Sequence, residues 1–365
     1  MKNLTWYEVD LRDVIANYKE AARATHALCV PMLKAGGYGL GAAAVADALA
    51  GEGVRTFAVS RLEEAMEIRA PGRKIWVTSC YHTPDALAAI VENDYVAAVD
   101  GFGQAETLSR LAGEAGRTVT VHIKTDTGFG RFGFAPDAID DIRRVCALPH
   151  LHAEGIFSHL GAAFLRKDTS ADRQLAVFEK TVADLKEAGV TFSLCHIAGS
   201  SGLARGEKFH LDAVRIGSLL CGRMPVESGL PLKRVGRLCS EIIDIRTVEK
   251  GHNIGYGSVY KTKRQTRVAV IAAGYHDGIQ IRKDYDTFRF RDLCRDGRDI
   301  FRMMLKRDNR MFVSVGGKRA PVIGRVALTH TMIDVTDIDC RPGDTVLIPI
   351  SPLFVSPQVE RRYIR

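Results

Sequence analysis

One repeat constrains this chain more than any other feature. Between Leu28 and Gly217 a single unit recurs, a short apolar β-branched run ending in glycine or polar residues and followed by an amphipathic stretch of helical spacing. Eight such runs fall at 28–33, 56–59, 74–78, 95–99, 118–123, 152–157, 192–197 and 213–216. Helical candidates lie between them at 61–69, 85–92, 136–147 and 171–188. Strands that alternate with helices pair in parallel, because the crossover that brings the chain back needs a helix-length connection. An open doubly wound sheet commonly has five or six strands, so eight units read better as a closed (β/α)8 barrel of the α/β class.

After Arg215 the pattern changes. Runs at 238–248, 267–273, 311–315, 320–335 and 345–349 are strand-like, separated by Gly, Asp and Pro, with no long amphipathic helix among them. A chain of 365 residues exceeds what one hydrophobic core usually serves. We therefore expect a barrel over 11–234 followed by a mainly β domain over 235–365. The run at 4–9 has no helix before it, and residues 1–10 are expected to add a strand to the second domain. A charged insertion occupies 279–323; its stretch 282–310 mixes ten Lys/Arg with six Asp and has no assigned task.

Composition excludes several classes. The longest apolar stretches, such as 42–50 and 268–273, fall well short of the about 18 apolar residues of a membrane span. Residues 1–11 alternate apolar with polar side chains where a secretory signal would have an apolar core, so a cytoplasmic location is expected. The eight cysteines form neither a C-x-x-C pair nor a cluster, which points to reduced thiols and no metal site. The net charge of +8 is dispersed, which fits anionic metabolites better than nucleic acid.

In a barrel the βα loops at the carboxyl ends of the strands form the functional face. The first run ends at Lys34, the fifth at Lys124, the sixth at Ser158 and His159, the seventh at His196 and Gly199, and the eighth carries Arg215. Several cations beside buried strands are costly unless they serve an anionic ligand. The loops after the last two strands read AGSSGL and IGSLLCG, a combination of glycine and serine that suits a phosphate. A lysine desolvated among other cations has the lowered pKa that Schiff-base chemistry uses, and pyridoxal 5′-phosphate supplies both an aldehyde and a phosphate.

Five segments then carry a resemblance. MLKAGGYGLG is similar to the Lys-Ala-x-x-Tyr-Gly-x-Gly motif of the alanine racemase family, HIKTDTGFGRFGF to its Lys-x-Asp-Thr-Gly-x-Gly-Arg-x-Gly block, FSHL to its Thr-His-Phe block and AVRIGSLLCG to its Val-Arg-x-Gly block. IGYGSVY and AAGYHDG resemble its C-terminal pair, with Tyr256 and Tyr275 19 positions apart. The motifs span nearly the whole chain in the family's order.

The resemblance implies a pyridoxal phosphate-dependent amino-acid racemase acting as a homodimer with shared active sites. By motif, Lys34 holds the cofactor and is one base, and Tyr256 of the partner subunit is the opposing base. Arg215 meets the pyridine nitrogen, and Arg131 binds the substrate carboxylate and the catalytic phenol. His159 hydrogen-bonds these groups, while Tyr38, Ser200, Gly217 and Ser218 hold the phosphate. Tyr275 and Leu328 fall on the substrate side, and Lys124 matches a lysine that many members carry carbamylated. Read alone, Tyr256 is a packed turn residue and His159 a core histidine.

The chain also departs from the pattern. Gly199 stands for an asparagine, Ala327, Leu328 and Thr329 stand for Cys-Met-Asp, and Pro357 or a neighbour replaces a C-terminal tyrosine. These changes leave alanine as the leading substrate and serine as the second. A decarboxylase on the same architecture fits the chain's length and the Tyr256 block less well, and a non-catalytic cofactor-binding protein would need the barrel alone.

Overall fold

A computed structural model describes residues 3–165, 169–281, 293–294, 297–298, 300–301 and 311–365. The chain divides into two compact units, Asp10–Val235 and a second made of Met1–Val9 with Gly236–Ile364.

The first unit is the barrel. Counting from an initial strand β1 (Thr5–Asp10), its strands are β2 (Leu28–Pro31), β3 (Thr56–Val59), β4 (Lys74–Cys80), β5 (Val96–Val99), β6 (Val119–Lys124), β7 (Leu151–Phe157), β8 (Leu194–His196) and β9 (Ala213–Ile216). Strands β3 to β8 form a sequential parallel sheet, and β2 pairs in parallel with β9. Parallel bridges from Met32 to Ala58 and from Gly199 to Arg215 join the two sets and close the ring of eight.

Inward positions are filled by complementary sizes. Trp76 packs with Val30, Met32, Ala58, Val96 and Ala213, small residues on neighbouring strands leaving room for the indole. Outside, helix Ser170–Glu187 turns Ala171, Leu175, Phe178 and Leu185 inward at i, i+4, i+7, i+14 spacing. Helix Leu11–Arg23 leads into β2, with the Asp10 carboxylate accepting from the Arg12 N–H at 2.9 Å as its N-cap. The expected helix at 136–147 begins only at Ile139, after a turn in which the Ala138 N–H bonds the Ala135 carbonyl.

The second unit is a mainly antiparallel sheet built on Arg237–Val248. This strand pairs with β1, with Thr345–Ile348 and with Thr266–Ile271, switching partners across a bulge between Ile242 and Asp244. The expected single strand at 320–335 is two, Lys318–Pro321 and Thr331–Asp334. Gly324 breaks it: its φ is +71°, and a Cβ there would sit 2.8 Å from the Ile254 carbonyl oxygen. Most of the insertion at 279–323 lies outside the described residues. No helix among the described residues is long and apolar enough to cross a membrane.

Candidate active site

The carboxyl ends of the barrel strands surround a cavity of about 550 Å³. Lys34, Lys124, Arg131, His159 and Arg215 line it together with Tyr38, Ser200, Gly217 and Ser218. The strand ends thus bring nine residues singled out from the sequence to one site.

Lys34 follows β2 and opens a turn of unusual hand. Ala35, Gly36, Gly37 and Tyr38 all have positive φ, 53° to 64°, a left-handed turn that costs about 1–2 kcal/mol for each side-chain-bearing residue. Glu64 anchors it: one carboxylate oxygen accepts from the Ala35 N–H at 2.7 Å, the other from the Ser60 and Arg61 N–H groups at 2.9 Å. Burial, helped by the nearby Arg131 and Arg215 charges and opposed by Glu64, pulls the Lys34 ammonium below the ordinary lysine range.

Across the cavity, Ser200 Oγ accepts from the Gly217 N–H at 2.9 Å and the Leu219 N–H at 3.3 Å. Gly217 has no alternative here, since a Cβ would lie 2.2 Å from the Tyr38 hydroxyl. The Tyr38 phenol therefore abuts the loop that Ser200 and Ser218 flank.

Arg215 is 5% exposed and bonded on both terminal nitrogens. Nη1 donates to His196 Nδ1, and Nη2 donates to the Ser158 carbonyl at 2.9 Å, with longer approaches to the Ile197 carbonyl and His159 Nδ1. Nε–H has no partner among the described residues. Burial holds the Arg215 guanidinium at about 10, still charged near neutral pH. Burial, followed by the Arg215, Lys34, Arg131 and Lys124 charges, drives His159 down to about 3, so it is neutral. Lys124, 3% exposed, donates to the Thr125 carbonyl at 2.6 Å, and burial with Arg215 lowers it to about 8.

Arg131 sits in a loop that folds back on β6. Asp126 accepts from the Gly128, Phe129 and Gly130 N–H groups, and the guanidinium lies 4.5 Å from the Phe129 ring and 5.6 Å from that of Phe132. Held by aromatic faces, it keeps its N–H donors available for a carboxylate.

Tyr256, Tyr275 and Leu328 belong to the second unit and are exposed there by 72%, 49% and 51%. Within that unit their loops are bound to one another. The Tyr275 N–H donates to the Ala327 carbonyl and the His276 N–H to the Leu328 carbonyl, each at 3.0 Å. A Cβ on Gly255 would meet Met332 at 2.9 Å, so the Tyr256 turn packs on the segment that carries Leu328. The Tyr256 hydroxyl has no partner among the described residues.

Two family models cover the chain, the alanine racemase N-terminal domain at residues 9–225 and the alanine racemase C-terminal domain at 235–352. The chain belongs to the alanine racemase family. It is 33% identical to the alanine racemase of Desulforamulus reducens over 95% of this chain and 90% of that one. With the Clostridium tetani alanine racemase it shares 32% over 94% and 85%. Among solved structures, the Clostridium difficile 630 alanine racemase superposes with a TM-score of 0.87 at 25% identity, over 100% of this chain and 96% of that one. The Bartonella henselae alanine racemase, solved with covalently bound pyridoxal phosphate, shares the fold with a TM-score of 0.80 at 24% identity, each chain covered in full.

The barrel residues fit the cofactor of the alanine racemase family on three observations. A half-buried lysine with a depressed pKa lines the cavity. A glycine–serine loop packed on a phenol faces it, and a buried arginine keeps one donor free. The sequence reading placed His196 at a strand end without a task and did not single out His122, Glu154 or Glu64. His122 was detectable, because it precedes Lys124 by two positions on β6 and so shares its inward face.

Proposed function

We propose that this chain is a pyridoxal phosphate-dependent racemase that interconverts L- and D-alanine, with Lys34 as the cofactor-binding residue and one of two bases. The observation that carries the reading is the half-buried Lys34 amine, lowered in pKa and set opposite the loop built from Ser200, Gly217 and Ser218. Pyridoxal phosphate would be held through the Lys34 amine; on exchanging that bond for one to the substrate's amino group it would acidify the Cα–H by delocalising the carbanion charge, and it would free the lysine amine.

The protein's own groups do the rest. Tyr38, Ser200, Gly217 and Ser218 would hold the phosphate, and the free Arg215 Nε–H would meet the pyridine nitrogen. A permanently charged donor leaves that nitrogen unprotonated, which limits delocalisation into the ring and disfavours transamination. Arg131 would pair with the substrate carboxylate, fixing which two faces of Cα the bases reach. Lys34 removes or returns the proton on one face and the Tyr256 phenol of the partner subunit does so on the other. Two bases invert a centre without turning the substrate over. A cation beside the phenol favours its ionised form, a task that Arg131 can serve. Neutral His159 lies beside Arg215 and would bond these groups. Carbamylation of Lys124, whose amine titrates near 8, would replace a cation between Arg131 and Arg215 by an anion that orients them. By motif, Tyr275 and Leu328 fall on the substrate side, and the enzyme acts as a homodimer with shared sites.

Borohydride reduction of the yellow protein followed by peptide mapping tests the assignment. The label should fall on Lys34, and Lys34→Ala should lose the visible band. A label on any other lysine would overturn it.

A further inference from the structure

Two buried histidines take no part in the mechanism above. His122 and His196 are 2% and 0% exposed and stand on β6 and β8 beneath Arg215. We propose that Glu154 is a positioning residue for Arg215, setting through these two imidazoles whether His196 presents a lone pair or an N–H to the guanidinium. This rests on Arg215 as the group that meets the pyridine nitrogen.

The Glu154 carboxylate can only accept, so His122 Nε2, 3.1 Å away, carries the proton. A neutral imidazole protonated on Nε2 has a lone pair on Nδ1. His196 Nε2, 3.0 Å from that atom, must then donate, which leaves His196 Nδ1 a lone pair for Arg215 Nη1. Neutrality is ensured by burial, which lowers both histidines below their ordinary range. The rings cannot swing. His196 is stacked between Trp76 at 4.9 Å and Phe157 at 5.0 Å, and His122 fills the space that Gly155 leaves, where a Cβ would be 2.9 Å from Cδ2. Lys74 holds the far end, binding both Glu154 oxygens at 2.6 and 2.7 Å.

Without the carboxylate acceptor the chain can reverse. Protonation of His122 on Nδ1 then requires His196 to carry its proton on Nδ1 as well, which opposes two buried donors at Arg215. An unpaired buried donor is costly, so the guanidinium would shift. Glu154 thus acts on the cofactor site from the middle of strand β7, through the tautomer of each ring.

The test is histidine 15N NMR on the cofactor-loaded protein, with turnover partition as a second readout. In the native protein both rings should be neutral and protonated on Nε2. Glu154→Gln, which keeps an acceptor oxygen, should preserve that pattern. Glu154→Leu should reverse or mix it and raise pyruvate formed per racemisation about ten-fold, a change equivalent to about 1.4 kcal/mol. Gly155→Ala, which displaces the His122 ring, should act like Glu154→Leu and serves if that variant does not fold. Lys74→Met removes the ion pair but leaves the acceptor, so tautomers and partition should stay native. Unchanged tautomers in both Glu154→Leu and Gly155→Ala, or an equal change in Lys74→Met, would overturn the proposal. If Arg215→Leu leaves the partition unaltered, it is the reading of Arg215 that fails, while the NMR pattern still judges the chain.

Discussion

At the scale of the residue, the site holds three cations, Lys34, Lys124 and Arg215, that burial has made reluctant to be charged. Lys124 shows the consequence for stability. Its folded pKa of about 8 lies below its ordinary 10.5, so between those values the unfolded chain binds more protons and stability rises with pH. Below about 8 both states are protonated and the full cost remains, of order 3 kcal/mol before relaxation. Lys124→Met should therefore melt higher than the native protein near pH 7 in carbonate-free buffer, with the gap closing towards pH 10. Added bicarbonate should raise the melting temperature of the native protein and leave that of the variant unchanged. A second prediction concerns Leu328 and Thr329, which stand where the family commonly has Met and Asp. On the motif reading, these changes and the lack of the family's C-terminal tyrosine would loosen the pocket, and L-serine should be racemised with a kcat/KM within about a hundred-fold of that for L-alanine. Leu328→Met with Thr329→Asp should restore preference for alanine. An enzyme that turns over alanine and leaves serine untouched would refute this reading.

At the scale of the element, the deciding feature is the left-handed turn after β2. Lys34 leaves a strand and its backbone immediately enters a conformation unfavourable for Ala35 and Tyr38. Glu64, at the third position of helix Leu62–Ile68, offsets this by accepting three N–H groups from two different loops. Glu64→Ala should lower stability by about 0.5–1.5 kcal/mol, the net worth of a hydrogen bond whose donors water can reach, and should weaken cofactor retention measured by dialysis. Full retention at native stability would show that the turn holds itself. The glycine pair in KAGGYG permits a left-handed turn, but the carboxylate that anchors it lies 29 residues away, and no local pattern encodes that.

At the scale of the whole molecule, the bases assigned by motif belong to different units, Lys34 to the barrel and Tyr256 to the β unit. If the site is shared between subunits, mixing inactive Lys34→Ala and Tyr256→Phe proteins should restore activity. Half the dimers formed at random are mixed and each holds one intact site, so recovery should approach roughly a quarter of the native rate. Recovery of nothing, with subunit exchange demonstrated by native mass spectrometry, would place both bases in one chain.

The sequence by itself determined the barrel, because an eightfold alternation of strand and helix periodicity leaves few closed arrangements, and seven of its eight runs start within one residue of the observed strand. It also located the cations that line the cavity, since charged residues at strand ends are legible wherever strands are. Only the tertiary structure decided what holds them. The break at Gly324 depends on the Ile254 carbonyl, the environment of Arg215 on His122 and Glu154, and the stance of Arg131 on two phenylalanine faces. Periodicity records which face a residue turns to the core; it does not record which buried polar groups meet there, because hydrogen-bond partners are chosen by strand register and ring orientation rather than by spacing along the chain.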